Sequence, residues 1–380
     1  MSFRYLDNAA TTPVRREVLE AMTPYLTSHF GNPSSHHSVG EHAARALADA
    51  RARVAAVLGM RPSDVIFTSG ATEANNLAIK GVSIAAQQRR GARHIVTTAI
   101  EHESVLASVD YLVRIHGFEA SILPVDRVGR VDPDAVAAAV RADTASASIG
   151  YANNEIGTIQ DVAGIAAALA GRVPLHLDAV QAAGWLPLSD TGADALSIAG
   201  HKIGAPKGIG ALGIRSRIPL EPVIHGGGQE RERRSGTENV AGAVGLARAV
   251  ELAEADRVDA AARVSAMRDE LIAGVLDRVP TARLTGDPTH RLPGTASFTF
   301  AGVGGETVLL ELERRGIITS SGSACAAGSD EASHVLLALG VDADEARTAV
   351  RITLGHSAEG SVEPIVEAVE AAVTAVVSGV

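Results

Sequence analysis

Cysteine is almost missing from this chain. Cys325 is the only one in 380 residues, so an intrachain disulfide framework is excluded. A reducing cytoplasm fits that usage and is the expected location. Aromatic residues are equally scarce at 3%, whereas hydrophobic residues reach 46%, so the core must be built from Ala, Val, Leu and Ile. Excess positive charge is lacking as well. The formal net charge is −10, which argues against a general polyanion surface and makes direct nucleic-acid binding an unexpected role. The densest cluster of charge is QERERR, from Gln229 to Arg234. No apolar run approaches the ~20 residues that a membrane span needs. The N-terminus MSFRYLDNAATTP has no apolar segment of the secretory kind.

Helical and strand-like stretches alternate along most of the length. SVGEHAARALADARARVAAVLGM puts Leu47, Ala50, Val54, Val57 and Leu58 on one helical face. DVIFTSG, HIVTTAI, SASIGYA and VPLHLDAV are short apolar runs of strand length, and ATEANNLAIKGVSIAAQQ between them reads as a helix. Strands interleaved with helices predict an α/β fold with a mostly parallel central sheet covered on both faces. A large domain is expected over 14–255. A long helix from Asn239 to about Val279 leads out of it. TASFTF, GGETVLLELERRG, IITSSGSAC and AVRITLG then predict a smaller α+β domain, formed by 1–13 and 256–380. The last stretch places Val362, Ile365, Val366, Val369, Val373 and Val376 at helical spacing, as in an amphipathic packing helix.

Four segments carry candidate chemistry. In DALSIAGHKIGAPKGIGALGI, Lys202 sits where a strand gives way to a loop, and a partly desolvated lysine there can act as an amine nucleophile. No G-x-x-x-x-G-K-[ST] phosphate loop exists. In HLDAVQAAG, Asp178 ends a strand and either faces a protonated ring nitrogen or caps the following helix. TSGATEANN is a strand–Gly–helix junction whose free N–H groups, with Ser69 and Thr72, make a phosphate cradle. TTAIEHESV puts His102 just past another strand. Taken together, a phosphate cradle, an aromatic ring, a strand-end acid and a loop lysine are what a pyridoxal phosphate site requires.

With those segments in register, the sequence closely resembles the cysteine desulfurases, pyridoxal-phosphate enzymes of the type I, aspartate aminotransferase fold. The resemblance covers nearly the whole chain, through YLDNAATTP, GNPSSHHSVG, VIFTSGATEANNLAIKG, IVTTAIEHESVL, NNEIGTIQD, HLDAVQ, GHKIGAPKGIGAL, GGGQERERRSGTENV and SSGSAC. The SSGSAC form is that of the branch with a long cysteine loop.

The resemblance implies roles residue by residue. Lys202 would hold the aldehyde of pyridoxal 5'-phosphate. Asp178 and Gln181 would meet the ring nitrogen and the phenolic oxygen. His102 would stack on the ring and shuttle a proton. Ala71, Thr72 and His201 would hold the phosphate. Thr237 would reach the phosphate in a neighbouring subunit's site, making the enzyme a homodimer with shared sites. Asn153 and Arg351 would bind the substrate carboxylate, a geometry that suits arginine. Two positions depart from the family's pattern: Ala199 stands where relatives usually have Ser, and Gly204 where they often have His or Tyr.

The same resemblance implies the reaction. Lys202 would take the α-proton of L-cysteine. Cys325, as a thiolate, would take the sulfur as a persulfide, and L-alanine would leave. Small Ser, Gly and Ala residues around Cys325 offer little to pack, which suits a thiol that must collect sulfur and deliver it. The sulfur would pass to a protein acceptor or scaffold, serving iron–sulfur cluster assembly, tRNA thiolation or DNA phosphorothioation. The alternatives are another type I enzyme, such as a selenocysteine lyase or aminotransferase, or a non-catalytic sulfur-relay protein. No metal site is expected. His36, His37 and His42 lack a completing ligand at familiar spacing and are expected at the substrate pocket or a dimer contact.

Overall fold

The computed structural model of the chain describes residues 3–322 and 332–378, so Cys325 lies outside the described residues. After β1 (Arg4–Tyr5), seven strands form one sheet: β2 (Val65–Thr68), β3 (His94–Thr98), β4 (Glu119–Leu123), β5 (Thr144–Gly150), β6 (Leu175–Asp178), β7 (Ala195–Ala199) and β8 (Gly210–Ile214). Their spatial order is β2-β8-β7-β6-β5-β3-β4. All neighbours are parallel except β8, which runs against both β7 and β2. The fold is therefore α/β with a mostly parallel sheet. Every residue of β2, β3, β6, β7 and β8 is buried. That explains why these strands read as unbroken apolar or hydroxyl runs rather than as alternation.

Helices cover both faces. On one side Val18 and Met22 of helix Arg16–Thr27, Leu47 and Val54 of helix Ser38–Val57, and Leu246 and Val250 of helix Val240–Arg278 pack on the sheet. On the other lies a continuous helical stretch from Ala71 to Arg90 with a π-helical segment at Leu77–Gly81. Beside it, helix Glu103–His116 buries Val105, Val109 and Leu112.

Four further strands follow: β9 (Ala282–Leu284), β10 (Thr295–Phe300), β11 (Ile317–Ile318) and β12 (Val350–Thr353). An antiparallel sheet takes the order β12-β10-β9, while β11 pairs in parallel with β1. A second core surrounds them, containing Leu6, Val264, Leu271, Phe298, Phe300, Val350 and Val369. The 39-residue helix Val240–Arg278 serves both cores, Ala243 to Ala253 the first and Val264 to Val275 the second. Helix Glu363–Ser378 buries Ile365, Val366, Val369 and Val373 against the second core, as their spacing predicts. Among the described residues no helix is long and apolar enough to cross a membrane.

One stretch departs from ordinary backbone. Glu230, Arg231 and Glu232 have φ of 48°, 60° and 65°. Three left-handed residues in a row, all with side chains, each cost roughly 1–2 kcal/mol. The QERERR segment is thus a wound turn.

Candidate active site

A parallel sheet aligns the C-terminal ends of its strands along one edge, and ligands collect there. A cleft of about 490 Å³ opens at that edge, past the ends of β2, β3, β5, β6 and β7. Ala71, Thr72, His102, Asn153, Asp178, Gln181, His201, Lys202 and Arg351 all line it. These positions span most of the sequence, and the sheet brings them into one cavity.

Asp178 is the last residue of β6 and is nearly buried. Its Oδ2 accepts from the Asn75 side-chain amide at 2.7 Å, and its Oδ1 accepts the N–H of Val180 at 3.1 Å. Asp178 lines the cleft, but among the described residues no helix lies between β6 and β7 for it to cap; it braces a turn instead. Asn75 donates as well to Ser104 Oγ at 2.9 Å. Ser104 Oγ lies 2.8 Å from Nδ1 of His102, and that nitrogen accepts the Ser104 N–H at 3.0 Å. His102 is thereby the N-cap of helix Glu103–His116, which fixes its ring. One amide thus links the acid to the imidazole. Sequence reasoning assigned no role to Asn75. Its signal was position, four residues after Ala71 and so on the same helical face.

Lys202 follows β7 directly, in the short 3-10 turn Gly200–Lys202. Its Nζ donates to the carbonyls of Ala9 at 2.5 Å and Ala10 at 2.8 Å. Gln181 donates to the same Ala9 carbonyl at 3.0 Å. The N-terminal DNAAT stretch is therefore a wall of the site. Burial, with Lys202 and Lys207 nearby, pushes the His201 imidazole down to about 4, so it is neutral and free to donate one N–H. Its Nδ1 is 3.2 Å from Thr11 Oγ1.

At the end of β2, Gly70 precedes helix Ala71–Asn76 with φ of 156° and no capping side chain, and a Cβ there would touch nothing within 4 Å. The first N–H groups of a helix have no intrahelical partner, so this opening is suited to an anion. Glu73 does not spoil it. Burial raises that carboxyl, but Arg234 and the Ser69 N–H and hydroxyl hold it below its ordinary range. The missing hydroxyl at Ala199 leaves a methyl group in the lining. Gly204 has a local reason to lack a side chain. Its φ is 86°, and a Cβ there would lie 2.6 Å from the Arg15 side chain.

The predicted carboxylate binders are already engaged. Arg351 is buried, donates to Asp7 Oδ1 at 2.7 Å, and donates to the carbonyls of Asn154 and Gly322 at 2.9 and 3.1 Å. Asn153 donates to the Ile100 carbonyl at 2.9 Å, and its Oδ1 accepts the N–H groups of Glu155 and Ile156. It acts first as the brace of a turn. Thr237 is exposed and is not among the residues that line this cleft. None of His36, His37 and His42 lines it either. His37 caps helix Ser38–Val57 by accepting from Gly40 at 3.2 Å. Among the described residues no group of three or more His, Cys, Asp and Glu could hold a metal ion.

Glu101 was also missed. It lines the cleft and is fully buried, and burial raises its carboxyl from 4.5 to about 7. Hydrogen bonds from Thr98 and Gly150 act downwards, and the charge of Asp178 acts upwards. The folded state therefore binds a proton that the unfolded chain gives up near 4.5. Its contribution to stability is full below that pH and is lost as pH rises through about 7. Between pH 5 and 8 the native protein should lose up to about 3 kcal/mol relative to Glu101→Gln, read from paired melting curves. Both proteins share His176 and His201, held near 4, which destabilise in the opposite direction on acidification and so cancel.

The donor set fits a phosphorylated pyridine aldehyde. The cleft offers an amine, a strand-end carboxylate, neutral donors and an open helix start. Asn75 Oδ1 is in addition buried without a hydrogen-bond partner among the described residues.

Comparison with known proteins places the chain in a family. The family described as aminotransferase class-V matches residues 4–361. A cysteine desulfurase IscS of Dictyoglomus turgidum is 46% identical over 354 residues, 92% of this chain and 89% of the relative. An IscS-like cysteine desulfurase of Mycobacterium tuberculosis is 45% identical over 380 residues, 97% of this chain and 96% of the relative. A solved NifS-like protein superposes with a TM-score of 0.90 at 37% identity, over 100% of both chains.

Proposed function

Because the chain belongs to the class-V aminotransferase family, and within it to the cysteine desulfurases, it is a cysteine desulfurase, and we propose that its cleft holds pyridoxal 5'-phosphate on Lys202 while Cys325 collects the sulfur. The observation that carries this reading is that Lys202 and Asp178, at the ends of neighbouring parallel strands, open on one cleft beside an uncapped helix start.

When bound, the cofactor supplies an electron sink for the carbanion formed at the substrate Cα. The chain's own groups do the rest. The N–H groups of Ala71 and Thr72, the Thr72 hydroxyl and His201 hold the phosphate, joined by the partner subunit's Thr237. Asp178, kept in place by Asn75, meets the ring nitrogen, and Gln181 meets the phenolic oxygen. His102, fixed by Ser104, covers the ring. Arg351 receives the substrate carboxylate, and Asn153 shapes the turn behind it. Lys202 moves the proton from Cα. The substrate Cβ–S bond breaks as an S–S bond forms on Cys325, Cβ takes up a proton, and Lys202 returns a proton to Cα to give L-alanine. A protein acceptor or scaffold then takes the sulfur.

We read the assembly as a cytoplasmic homodimer, each chain made of a large unit over 14–255 and a small unit over 1–13 and 256–380. The two separate cores support that division. Exposed Leu19, Leu26 and Phe30, and an exposed Thr237 that does not line its own cleft, support the dimer.

The test is stoichiometry. Reconstituted enzyme given L-cysteine and a thiol reductant should release alanine and sulfide one for one, with no added keto acid. Amino transfer that needs a keto acid, with no sulfide, would reject the reading.

A further inference from the structure

QERERR is the densest charge cluster of the sequence, yet little of it is free for an outside anion. Glu230 is buried at 4% exposure, and its carboxylate takes both Nη groups of Arg51, at 2.5 and 2.8 Å. It also accepts the N–H of Phe67, in β2, at 3.3 Å. Arg231 donates to the carbonyl of Val65, the first residue of β2, at 2.5 Å. Arg234 pairs at 2.8 Å with Glu73, which itself accepts the N–H of Ser69 at 2.8 Å. Within the turn, Gln229 accepts from Gly236 at 2.8 Å, and Ser235 accepts from Gly228 at 3.3 Å. A left-handed run of residues with side chains persists only where its surroundings over-determine it. Here the fastenings lead to Arg51 of helix Ser38–Val57, to β2 at Val65 and Phe67, and, through Arg234 and Glu73, to the helix start beside the subunit's own cleft. The other end of the segment carries Thr237, exposed and outside that cleft.

We propose that this turn is a strut joining the two cofactor sites of a dimer, with Glu230 as a positioning residue: it braces the turn on Arg51 and β2 of its own subunit, Arg234 ties the turn to the helix start, and the braced turn sets Thr237 for the partner. The inference rests on the shared-site dimer proposed above. Its consequence is directional. Loosening the turn in one subunit releases the cofactor from the other.

Mixed dimers with two different affinity tags test it. In the first arrangement one chain carries Lys202→Ala and the other Glu230→Gln. The lysine-bearing site then receives Thr237 from an intact turn. In the second arrangement both changes sit in the same chain, so the lysine-bearing site receives Thr237 from the altered turn. The readout is decay of the bound cofactor's visible absorbance after addition of an excess of a cofactor-trapping protein. The second arrangement should lose cofactor about tenfold faster than the first, the scale of one charge-assisted contact. Equal rates, or faster loss in the first, overturn the strut. Thr237→Ala in place of Glu230→Gln separates the two ideas. If Thr237→Ala shows no loss in the opposite subunit, the shared site itself is wrong. If it shows that loss and Glu230→Gln does not, only the strut is wrong. Melting curves establish that each variant is folded. Should Glu230→Gln not fold, Gln229→Ala, which removes only the contact to Gly236, must give the same ordering.

Discussion

Lys202→Ala should yield a folded protein that keeps no pyridoxal phosphate through gel filtration and turns over L-cysteine ~10⁴-fold more slowly or worse. Two losses combine in that number, the covalent anchor for the aldehyde and the amine that moves the α-proton. Folding should survive. The Ala9 carbonyl that Nζ engages also accepts from Gln181, and the site lies at the sheet edge, outside either core. Lysine is rare enough to make the assignment clean. The chain has only Lys80, Lys202 and Lys207, and of these Lys202 and Lys207 line the cleft. Borohydride reduction of the loaded enzyme should therefore tag one peptide, and mass spectrometry reads which. Tagging of Lys207 alone, or a Lys202→Ala protein that stays coloured and active, would remove the basis of the proposed function.

The large-scale fold was legible because its strands are buried on both faces. VIFT, HIVTT, LHLD and ALSIA are unbroken runs between turn residues, and each is a strand. The long helix reads within a residue or two of its observed ends at Val240 and Arg278. β4 escaped notice because it is the sheet edge. EASIL is partly exposed along its whole length and carries neither an apolar run nor alternation. The site was legible where a residue ends a strand, as with Asp178 and Lys202, since topology alone aims such positions at the cleft.

Pairings between distant residues were not legible. Arg351 meets Asp7 across 344 positions of sequence, and Asn75 meets Asp178 across 103. QERERR was the least legible segment, because composition cannot tell a charged surface from a charged turn fastened inward, and residues with side chains give no hint of left-handed backbone.

Cys325→Ser should separate binding from chemistry. The side chain keeps its size and loses only the atom that can hold sulfur as a persulfide. The loaded variant should retain the cofactor's visible absorbance and its dissociation rate, because every cofactor-binding group named above lies elsewhere. Persulfide labelling at this position should vanish, and alanine release from L-cysteine should fall ~10³-fold or more. Gly322, three residues before Cys325 in sequence, lines the cleft, with its carbonyl held by Arg351 at 3.1 Å. Past it, Ser333 is fastened to Glu155 at 2.5 Å, and His334 lies 3.0 Å from the Glu101 carbonyl. The described residues on either side of Cys325 are thus fastened to Arg351 and Glu101, which line the cleft, and to Glu155. An aminotransferase on the same scaffold would have no need of this thiol. Undiminished sulfide and alanine production by the serine variant would mean that sulfur leaves by another route, and the assignment of Cys325 would fall while that of Lys202 stood.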